Sequence, residues 1–271
     1  MISSYHQQEK IGIITGYGLL PEIFVNKVNN FDIYLVGFKR FVSRNIIHKV
    51  KKYKILTIWS LSEIIDFFQQ NDVTKLLFLG YVPLNILLKN PQLDQKASKL
   101  FSQINSKTAM QIFHSLLNEL SQAGFTVEPI DKYLNDCFAE KGSINSLTLT
   151  EGEIKDVEFG YNIAKSIASL DVGLTVVVKN GIVVAVEALE GTDRCILRAG
   201  KLAGSGCCVV KVARPQQDMR FDLPVIGPTT VKVLARSKAN ILAVESNKTL
   251  ILKKDEVIKK SYKLGIKLYG I

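Results

Sequence analysis

Two polar loops between apolar segments carry most of the side chains in this sequence that could do chemistry. The first reads Glu-Gly-Thr-Asp at 190–193, and the second reads Arg-Pro-Gln-Gln-Asp-Met-Arg-Phe-Asp-Leu-Pro at 214–224. Carboxylates can hold a divalent cation or orient an attacking water, and arginine can bind phosphate oxygens bidentately. The pattern indicates a phosphate or metal site within residues 186–228, and two solvated loops are the plain alternative.

The candidate side chains of these loops have both signs of charge. Hydrolysis of a phosphoric anhydride needs such a mixture, because charge on the transferring and leaving groups must be neutralised while the nucleophile is aligned. Asp222 stands between Phe221 and Leu223, apolar neighbours that could fix its rotamer and restrict water. The residues alone leave a structural salt-bridge network equally open. The acids are Glu187, Glu190, Asp193, Asp218 and Asp222, and the bases are Lys211, Arg214 and Arg220.

Glycines mark a second candidate surface. Gly16 and Gly18 follow the apolar run 11–15, and Gly80 follows the apolar run 75–79. A strand, a glycine turn and a helix let backbone amides approach a phosphate or nucleotide closely. The third glycine of a dinucleotide fingerprint is missing, so a purely structural turn fits equally well. Ligands of parallel sheets bind beyond the carboxyl ends of the strands, which puts Gly16 and Gly80 on one rim.

The elements that must position these residues follow from hydrophobic periodicity. In the first half, alternating strands and helices predict a parallel sheet with helices on both faces. The predicted strands are 11–15, 31–38, 55–58, 75–79 and 125–129, and the predicted helices are 19–28, 60–70, 83–88, 94–104 and 108–124. The last of these has an apolar stripe, Met110, Phe113, Leu116, Leu117 and Leu120, interpreted as core rather than a lipid site.

The second half predicts a different kind of sheet. Thr150 and Glu153 form a capping-box pattern at the start of a helix, and Asn180-Gly181 between β-rich runs predicts a tight hairpin. Later strands alternate with helices at 194–202, 229–238 and 254–264. The fold class is therefore α/β with two domains: a Rossmann-like parallel sheet in residues 1–140 and a mixed sheet in 151–271, joined by a linker at 141–150.

Composition restricts the class of protein. The chain has 271 residues, 47% of them hydrophobic and 22% charged, as in a globular protein. No apolar run approaches the roughly 20 residues of a membrane-spanning helix, and the N-terminus has no signal-peptide pattern, so a cytoplasmic protein is expected. The four cysteines lack zinc-site spacing and are interpreted as buried free thiols, with Cys207 and Cys208 on opposite faces of a strand.

The net charge of +10 is unevenly distributed. A basic segment, residues 38–54, contains seven lysines and arginines and no acid. Nucleic acid, an anionic membrane or a phosphorylated substrate would respond to its field, and a solvated basic face is the alternative. A basic nucleic-acid- or nucleotide-binding protein without hydrolase activity is the rival interpretation. It has less support, because the segment lacks interleaved stacking aromatics and a known binding motif.

Several runs of the C-terminal half together carry a family resemblance. They are Phe-Gly at 159–160, Leu-Asp-Val-Gly at 170–173, Val-Val-Val-Lys-Asn-Gly, Ala-Val-Glu-Ala-Leu-Glu-Gly-Thr-Asp, and Arg-Pro-Gln-Gln-Asp-Met-Arg-Phe-Asp-Leu-Pro-Val-Ile-Gly-Pro. These runs resemble the LpxI-type UDP-2,3-diacylglucosamine pyrophosphatases. The N-terminal half is similar more loosely, through Thr-Gly-Tyr-Gly at 15–18, Pro21 and Gly80. After Gly80 the family commonly has a second glycine and a basic residue. Here stand Tyr81, Val82 and Pro83, and the family's acidic pair is absent at 106–108.

The resemblance implies an enzyme of lipid A biosynthesis in the cytoplasm of a Gram-negative bacterium. It would hydrolyse UDP-2,3-diacylglucosamine to UMP and 2,3-diacylglucosamine 1-phosphate with Mg²⁺ or Mn²⁺, between two linked domains. Two acyl chains and the basic segment imply peripheral contact with the inner membrane, and no nucleic acid; a homo-oligomer is left open. The family's critical aspartate falls on Asp222.

The remaining roles are expectations built on that match. Asp222, Asp193 and Arg220 are expected to be catalytic, and Asp222 and Asp218 to hold the metal. The substrate is expected to contact Gly16, Gly18, Gly80, Glu190, Thr192, Lys211, Arg214 and Gln217.

Overall fold

The protein divides into two compact units in a computed structural model that describes residues 8–82, 86, 92–104 and 108–271. Unit 1 comprises Met1–Leu134 with Met219–Asp222, and unit 2 comprises Asn135–Asp218 with Leu223–Ile271. Four residues from the second half of the sequence thus belong to unit 1. The predicted helix at 83–88 lies outside the described residues except for Ile86, as do Ser106 and Lys107.

Unit 1 contains a five-stranded sheet in the order β3-β2-β1-β4-β5, with every pair parallel. The predicted Rossmann-like parallel sheet is confirmed. Its strand order reverses between β1 and β4, the position at which such sheets bind ligands. The strands are β1 Glu9–Thr15, β2 Phe31–Phe38, β3 Lys52–Leu56, β4 Lys75–Leu79 and β5 Thr126–Val127. The helices are α1 Leu20–Lys27, α2 Arg44–Ile47, α3 Leu61–Gln69, α4 Gln95–Ser102, α5 Ala109–Gln122 and α6 Asp131–Leu134.

The third strand is where prediction and structure differ most in unit 1. The prediction of 55–58 was wrong, because β3 runs from Lys52 to Leu56 in register with β2. Its first residues, Lys52 and Tyr53, are exposed at the edge of the sheet. An edge strand keeps polar residues in water, so a search for apolar runs begins it too late.

Polar side chains set the start of several helices in unit 1. Asp94 caps α4 by accepting from the amide of Ala97, and Thr108 caps α5. Ser60 stands at the N-cap position of α3, but its side chain makes no capping hydrogen bond. The second carboxylate oxygen of Asp94 accepts from the amide of Ser62 instead, at 2.7 Å. One aspartate therefore satisfies amides at the start of both α3 and α4.

Unit 2 contains a six-stranded mixed sheet in the order β6-β13-β11-β9-β7-β8, as predicted in kind. Strands β9, β11 and β13 are parallel, β7 is antiparallel to β8 and β9, and β6 is antiparallel to β13. The strands are β6 Gly142–Ser143, β7 Thr175–Lys179, β8 Ile182–Val186, β9 Cys208–Lys211, β11 Ile241–Val244 and β13 Lys267–Gly270. A separate pair is β10 Val225–Ile226 with β12 Leu250–Ile251. The helices are α7 Glu151–Ser169, α8 Thr192–Ala203, α9 Pro228–Ser237 and α10 Lys254–Lys263.

The segment 141–150, predicted as a linker, contributes structure to unit 2. It supplies β6 and the side chain of Asn145, which is 2% exposed. Asn145 Nδ2 donates to Ser261 Oγ at 2.9 Å and to the Ile266 carbonyl at 2.8 Å. Asn145 Oδ1 accepts from the backbone amide of Leu268. A polar, aperiodic composition is shared by linkers and by short edge strands, so sequence did not separate them.

Alternating residues of β9 face two different cores. Cys207 and Val209 belong to the core formed with α8, α9 and α10, whereas Cys208 and Val210 belong to the core formed with α7. The predicted opposite placement of Cys207 and Cys208 is confirmed. All four cysteines are free thiols, and Cys195, Cys207 and Cys208 are buried. Burial raises the pKa of Cys195 to about 12 and also raises the pKa of the other two, so these thiols are chemically inert near neutral pH.

Candidate functional site

A chain of hydrogen bonds crosses one edge of the unit 2 sheet. Lys211, the last residue of β9, is only 7% exposed, and its Nζ donates to Thr192 Oγ1 at 2.8 Å. The Thr192 hydroxyl donates in turn to Glu187 Oε1 at 2.8 Å. Since a hydroxyl carries one proton, Thr192 has its orientation fixed by this donor on one side and acceptor on the other. The result is a directed relay from Lys211 through Thr192 to Glu187.

The sheet topology explains why these three residues meet. Thr175 begins β7 opposite Lys211, which ends β9, because the two strands are antiparallel. Glu187 follows the end of β8, and its amide donates to the Thr175 carbonyl at 2.9 Å. Its second carboxylate oxygen accepts from the Leu174 amide at 3.2 Å. The edge at which β9 ends therefore gathers residues from three neighbouring strands and from the start of α8.

Helix α8 begins two residues earlier than predicted, at Thr192 rather than at 194. This moves Thr192 and Asp193 into its first turn. Partial burial raises the pKa of Asp193, although part of its side chain is exposed. The charge of Lys211 lowers this pKa, and the charge of Glu187 raises it. Helix N-terminal amides and a lysine favour anions, and a carboxyl group with a raised pKa can exchange a proton. Lys211, the start of α8 and Asp193 together can bind phosphate oxygens and accept a proton.

Replacing Lys211 with methionine should raise the pKa of Asp193 further. The lysine charge lowers this pKa in the wild type, so its removal leaves burial and the Glu187 charge, which both raise it. Titration of the Asp193 carboxyl carbon by ¹³C NMR would measure the shift. Lys201→Met, in the last turn of α8, is the matched control and should leave the pKa of Asp193 unchanged. An unchanged or lower pKa in Lys211→Met would contradict this view of the cluster.

The loop after β9 is held by hydrogen bonds within it and by an ion pair with Asp171. Arg214 Nε donates to Asp171 Oδ1 at 2.8 Å, and both side chains are largely buried. The Arg214 amide donates to Gln217 Oε1, while Gln217 Nε2 donates to the Asp218 carbonyl at 3.0 Å. The other Asp171 oxygen, Oδ2, is buried without a hydrogen-bond partner among the described residues. Asp171 therefore holds the Arg214 guanidinium in one orientation.

The segment Met219–Asp222 contains the main predicted catalytic residue and belongs to unit 1. The Met219 carbonyl accepts from the Ile130 amide at 3.1 Å. The Phe221 ring stacks on Phe113 of α5, with ring centroids 4.0 Å apart and planes inclined by 14°. Arg220 and Asp222 are half-buried. The φ of Asp222 is +44°, in the left-handed region that non-glycine residues occupy only when their surroundings fix it.

An apolar cavity of about 180 Å³ lies within unit 1. Every residue that lines it is hydrophobic, and among them are Trp59, Ile112, Phe113, Leu116 and Phe221. A buried apolar cavity of ~150 Å³ binds benzene, so this one has room for roughly six or seven carbons of a hydrocarbon chain. The α5 stripe was interpreted as core rather than as a lipid site. Phe113, Leu116 and Leu120 in fact both pack in the unit 1 core and line the cavity.

Gly16 and Gly80 lie together on the rim of unit 1, and their own packing explains why neither has a side chain. Tyr17 and Tyr81 exchange two backbone hydrogen bonds of 2.8 Å. A Cβ on Gly16 would lie 2.4 Å from the Tyr81 carbonyl oxygen, and one on Gly80 would lie 2.7 Å from the Tyr17 oxygen. Gly18, at φ +116°, has open space around it instead. The two tyrosines are 64% and 48% exposed, so aromatic rings occupy this rim.

Gly16→Ala should destabilise unit 1 by about 2 kcal/mol or more, because its Cβ meets a backbone oxygen that cannot rotate away. Gly18→Ala is the control. It should cost about 1 kcal/mol from its positive φ alone, since no atom of the residues that the structure describes lies within 4 Å of the new Cβ. Urea unfolding followed by the fluorescence of Trp59, the only tryptophan, reports unit 1 directly. Equal losses of stability in Gly16→Ala and Gly18→Ala would show that Gly16 does not approach the Tyr81 carbonyl closely.

Several predicted and several missed residues have structural partners in unit 2. Glu190 accepts from Arg198 Nη2 at 2.6 Å and from the Ala188 amide, which accounts for it without a ligand. Asp171 was missed as a site residue, and Glu187 was a candidate acid without an assigned role. Both lie in runs that carried the family resemblance, but only the fold shows that they orient Thr192 and Arg214.

The basic segment 38–54 is partly neutralised by its neighbours in unit 1. Lys51 pairs with Asp32 at 3.4 Å, and Lys54 pairs with Glu63 at 2.9 Å. Lys39, Arg40 and Arg44 are exposed. Among the helices that the structure describes, none combines the length and the hydrophobicity needed to cross a membrane.

A metal ion bound to this chain would have few protein carboxylates as ligands. In the described part of the chain, no three histidines, cysteines, aspartates or glutamates come together as a cation cage. Magnesium commonly takes only one or two protein carboxylates and completes its shell with water and substrate phosphates. Asp218 and Asp222, two carboxylates four residues apart, have the chemistry for that kind of site.

Fold and site define a two-unit α/β protein with a lysine-bearing sheet edge in unit 2 and an apolar cavity in unit 1. Residues 10–137 match the LpxI N-terminal domain, and residues 140–269 match the LpxI C-terminal domain. The chain belongs to the LpxI family. It is 27% identical over 168 residues to the UDP-2,3-diacylglucosamine pyrophosphatase LpxI of Caulobacter vibrioides, a match that covers 59% of this chain and 60% of that protein.

Proposed function

We propose that this chain hydrolyses the pyrophosphate of UDP-2,3-diacylglucosamine, giving UMP and 2,3-diacylglucosamine 1-phosphate for lipid A biosynthesis. Family membership and the name of the Caulobacter relative support the reaction. One structural observation carries the proposal furthest. The four-residue segment Met219–Asp222 contributes Phe221 to an apolar cavity and, directly after it, the proposed catalytic carboxylate of Asp222.

The cavity suits part of one acyl chain. Each methylene buried from water contributes about 0.8 kcal/mol, so six carbons would contribute roughly 5 kcal/mol to binding. That is enough to distinguish an acylated sugar nucleotide from one without acyl chains. The cavity is too small for two whole chains, so the rest of the lipid would stay elsewhere on the protein or in a membrane. The exposed Lys39, Arg40 and Arg44 suit contact with an anionic membrane surface, where such a lipid resides.

The polar residues would divide the phosphate chemistry among them. Lys211 and the amides at the start of α8 would bind phosphate oxygens, with Thr192 held between Lys211 and Glu187. Arg214, oriented by Asp171, and Arg220 would neutralise charge on the leaving group. Asp222 would orient the attacking water, and Asp193 would take up a proton. Gln217 and Glu190 would shape the loops on either side.

A divalent cation, Mg²⁺ or Mn²⁺, would be held by Asp222 and Asp218, and it would supply further charge neutralisation to the phosphates. The uridine would lie on the rim of unit 1 formed by Gly16, Gly18 and Gly80. There the exposed Tyr17 and Tyr81 rings offer a surface on which a base can stack.

The proposal is tested by incubating purified full-length protein with UDP-2,3-diacylglucosamine and Mg²⁺ and measuring UMP by chromatography. UMP release that stops with EDTA and returns with added Mg²⁺ is the expected result. The control substrate is UDP-glucosamine, which has no acyl chains and should be cleaved poorly. Absence of UMP would reject the hydrolase. If Trp59 fluorescence then still showed UDP-sugar binding, the nucleotide-binding alternative would replace it. ¹⁸O-labelled water would identify the phosphorus attacked.

A further inference from the structure

We propose that Phe221 is a positioning residue that couples occupation of the apolar cavity to the placement of Asp222. An acyl chain would then increase the rate of turnover as well as the affinity for substrate. The inference rests on the proposed function and adds a role for the lipid that binding alone does not require.

The coupling begins with two features beside the Phe221 ring. One is the Phe113 ring, nearly parallel to it at 4.0 Å, and the other is the cavity that Phe221 lines. Where a ring borders a cavity, it gains dispersion contacts only when a ligand fills that space. A hydrocarbon chain in the cavity supplies those contacts and narrows the range of ring positions.

The coupling reaches Asp222 through the backbone. The segment Met219–Asp222 is held within unit 1 by the hydrogen bond between Ile130 and Met219 and by the stacked Phe221 ring. Asp222 has a φ of +44°, a left-handed conformation that is unfavourable for most non-glycine residues, so packing around Asp222 helps to hold it. The ring next to Asp222 is one of the groups that can impose it. Fixing Phe221 therefore fixes the direction of the carboxylate that follows.

Coupling of this kind predicts where the lipid contributes energetically. Contacts remote from the reacting phosphates raise kcat when they hold catalytic groups in the geometry of the transition state. An apolar pocket that only bound the acyl chains would lower KM for long-chain substrates and leave kcat unchanged. Chain length should therefore change kcat here, and Phe221 should be required for that change.

The experiment compares wild type and Phe221→Ala on two substrates, UDP-glucosamine with two long acyl chains and the same compound with two acetyl groups. In the wild type, kcat should be about 10- to 100-fold higher with the long chains, the range expected when a catalytic group is misplaced by ~1 Å. Phe221→Ala should remove most of that advantage, because it should lower kcat for the long-chain substrate by a larger factor than kcat for the diacetyl compound. Phe221→Tyr, which keeps the ring, should retain the advantage.

Each other outcome rejects the inference in a recognisable way. Equal wild-type kcat for both substrates would leave the hydrolase intact and reject the coupling. An equal loss on both substrates in Phe221→Ala would assign Phe221 a merely structural role. Lack of UMP from the wild type would reject the proposed function and the inference with it. If Phe221→Ala fails to unfold cooperatively by Trp59 fluorescence, Phe221→Leu replaces it under the same criteria.

Discussion

Asp222→Asn should lower kcat/KM for UMP release by about 10³-fold, within the range for loss of a positioned acid or base. Asparagine keeps the size of the side chain and tolerates a positive φ, so the backbone at +44° is undisturbed. It loses the negative charge that would orient water and hold the cation. The measurement is steady-state UMP release at saturating Mg²⁺, together with Trp59-monitored unfolding to show that unit 1 is intact.

Asp72 provides the matched control for this substitution. It is also an aspartate of unit 1 with a positive φ, +53°, and its carboxylate is exposed beside Lys10. Asp72→Asn therefore reproduces the backbone situation without the proposed chemistry, and its kcat/KM should equal that of the wild type. Activity of Asp222→Asn close to that of Asp72→Asn would remove Asp222 from the mechanism.

Glu245→Gln should destabilise unit 2 by about 3 kcal/mol, at the low end of the range for breaking a buried ion pair. Glu245 is 6% exposed and accepts from Lys165 Nζ at 3.0 Å, from Lys248 at 2.9 Å and from the Ala213 amide at 2.9 Å. An amide side chain removes the charge and presents a donor where three donors already converge. Lys165, also bonded to the Ala213 carbonyl, would keep a largely buried charge without its partner.

The effect of Glu245 should depend on pH in a defined direction. Burial tends to raise its pKa, but the hydrogen bonds from Lys248, Lys165 and Ala213 outweigh burial and lower it below its ordinary value of 4.5. The stabilisation is therefore fully present above pH 4.5 and is lost as the pH falls through the lowered value. The difference between wild type and Glu245→Gln should shrink over that acidic range.

Amide hydrogen exchange in β9 and β11 is the appropriate measurement, because Trp59 lies in unit 1. Glu140→Gln serves as control, since the Glu140 side chain is 80% exposed and pairs with Lys254 at the surface of unit 2. Loss of an exposed ion pair should leave the exchange rates in β9 and β11 close to those of the wild type. Comparable exchange rates in the two variants would show that the Glu245 network does not stabilise unit 2.

Sequence predicted features whose causes are local. The capping box of Thr150 and Glu153 is present as expected, because it needs only residues three apart. The hairpin at Asn180 and Gly181 has positive φ at both positions, as that pair favours. The class of both sheets follows from the alternation of strands and helices, and it is confirmed. Each of these predictions depends on a short stretch of chain.

Features that depend on distant segments were not predictable in this way. The raised pKa of Asp193 reflects burial, opposed by the charge of Lys211 nearly twenty residues away, and the orientation of Arg214 depends on Asp171. The α5 stripe gave the correct face of the helix but could not show that a cavity lies beside that face, lined in part by Phe221. Periodicity identifies which residues turn inward, whereas a cavity depends on how well residues from several elements fill the interior.

Because Met219–Asp222 belongs to unit 1, exchanging the N-terminal half alone between two relatives would separate this segment from the rest of its unit. The boundary between the two family matches falls near residue 138, yet the second half supplies Phe221, which lines a cavity in unit 1. A chimera of two relatives joined at that boundary would combine one parent's cavity with the other parent's ring. We expect lipid preference in such chimeras to follow neither parent unless residues 219–222 are transferred together with the N-terminal half.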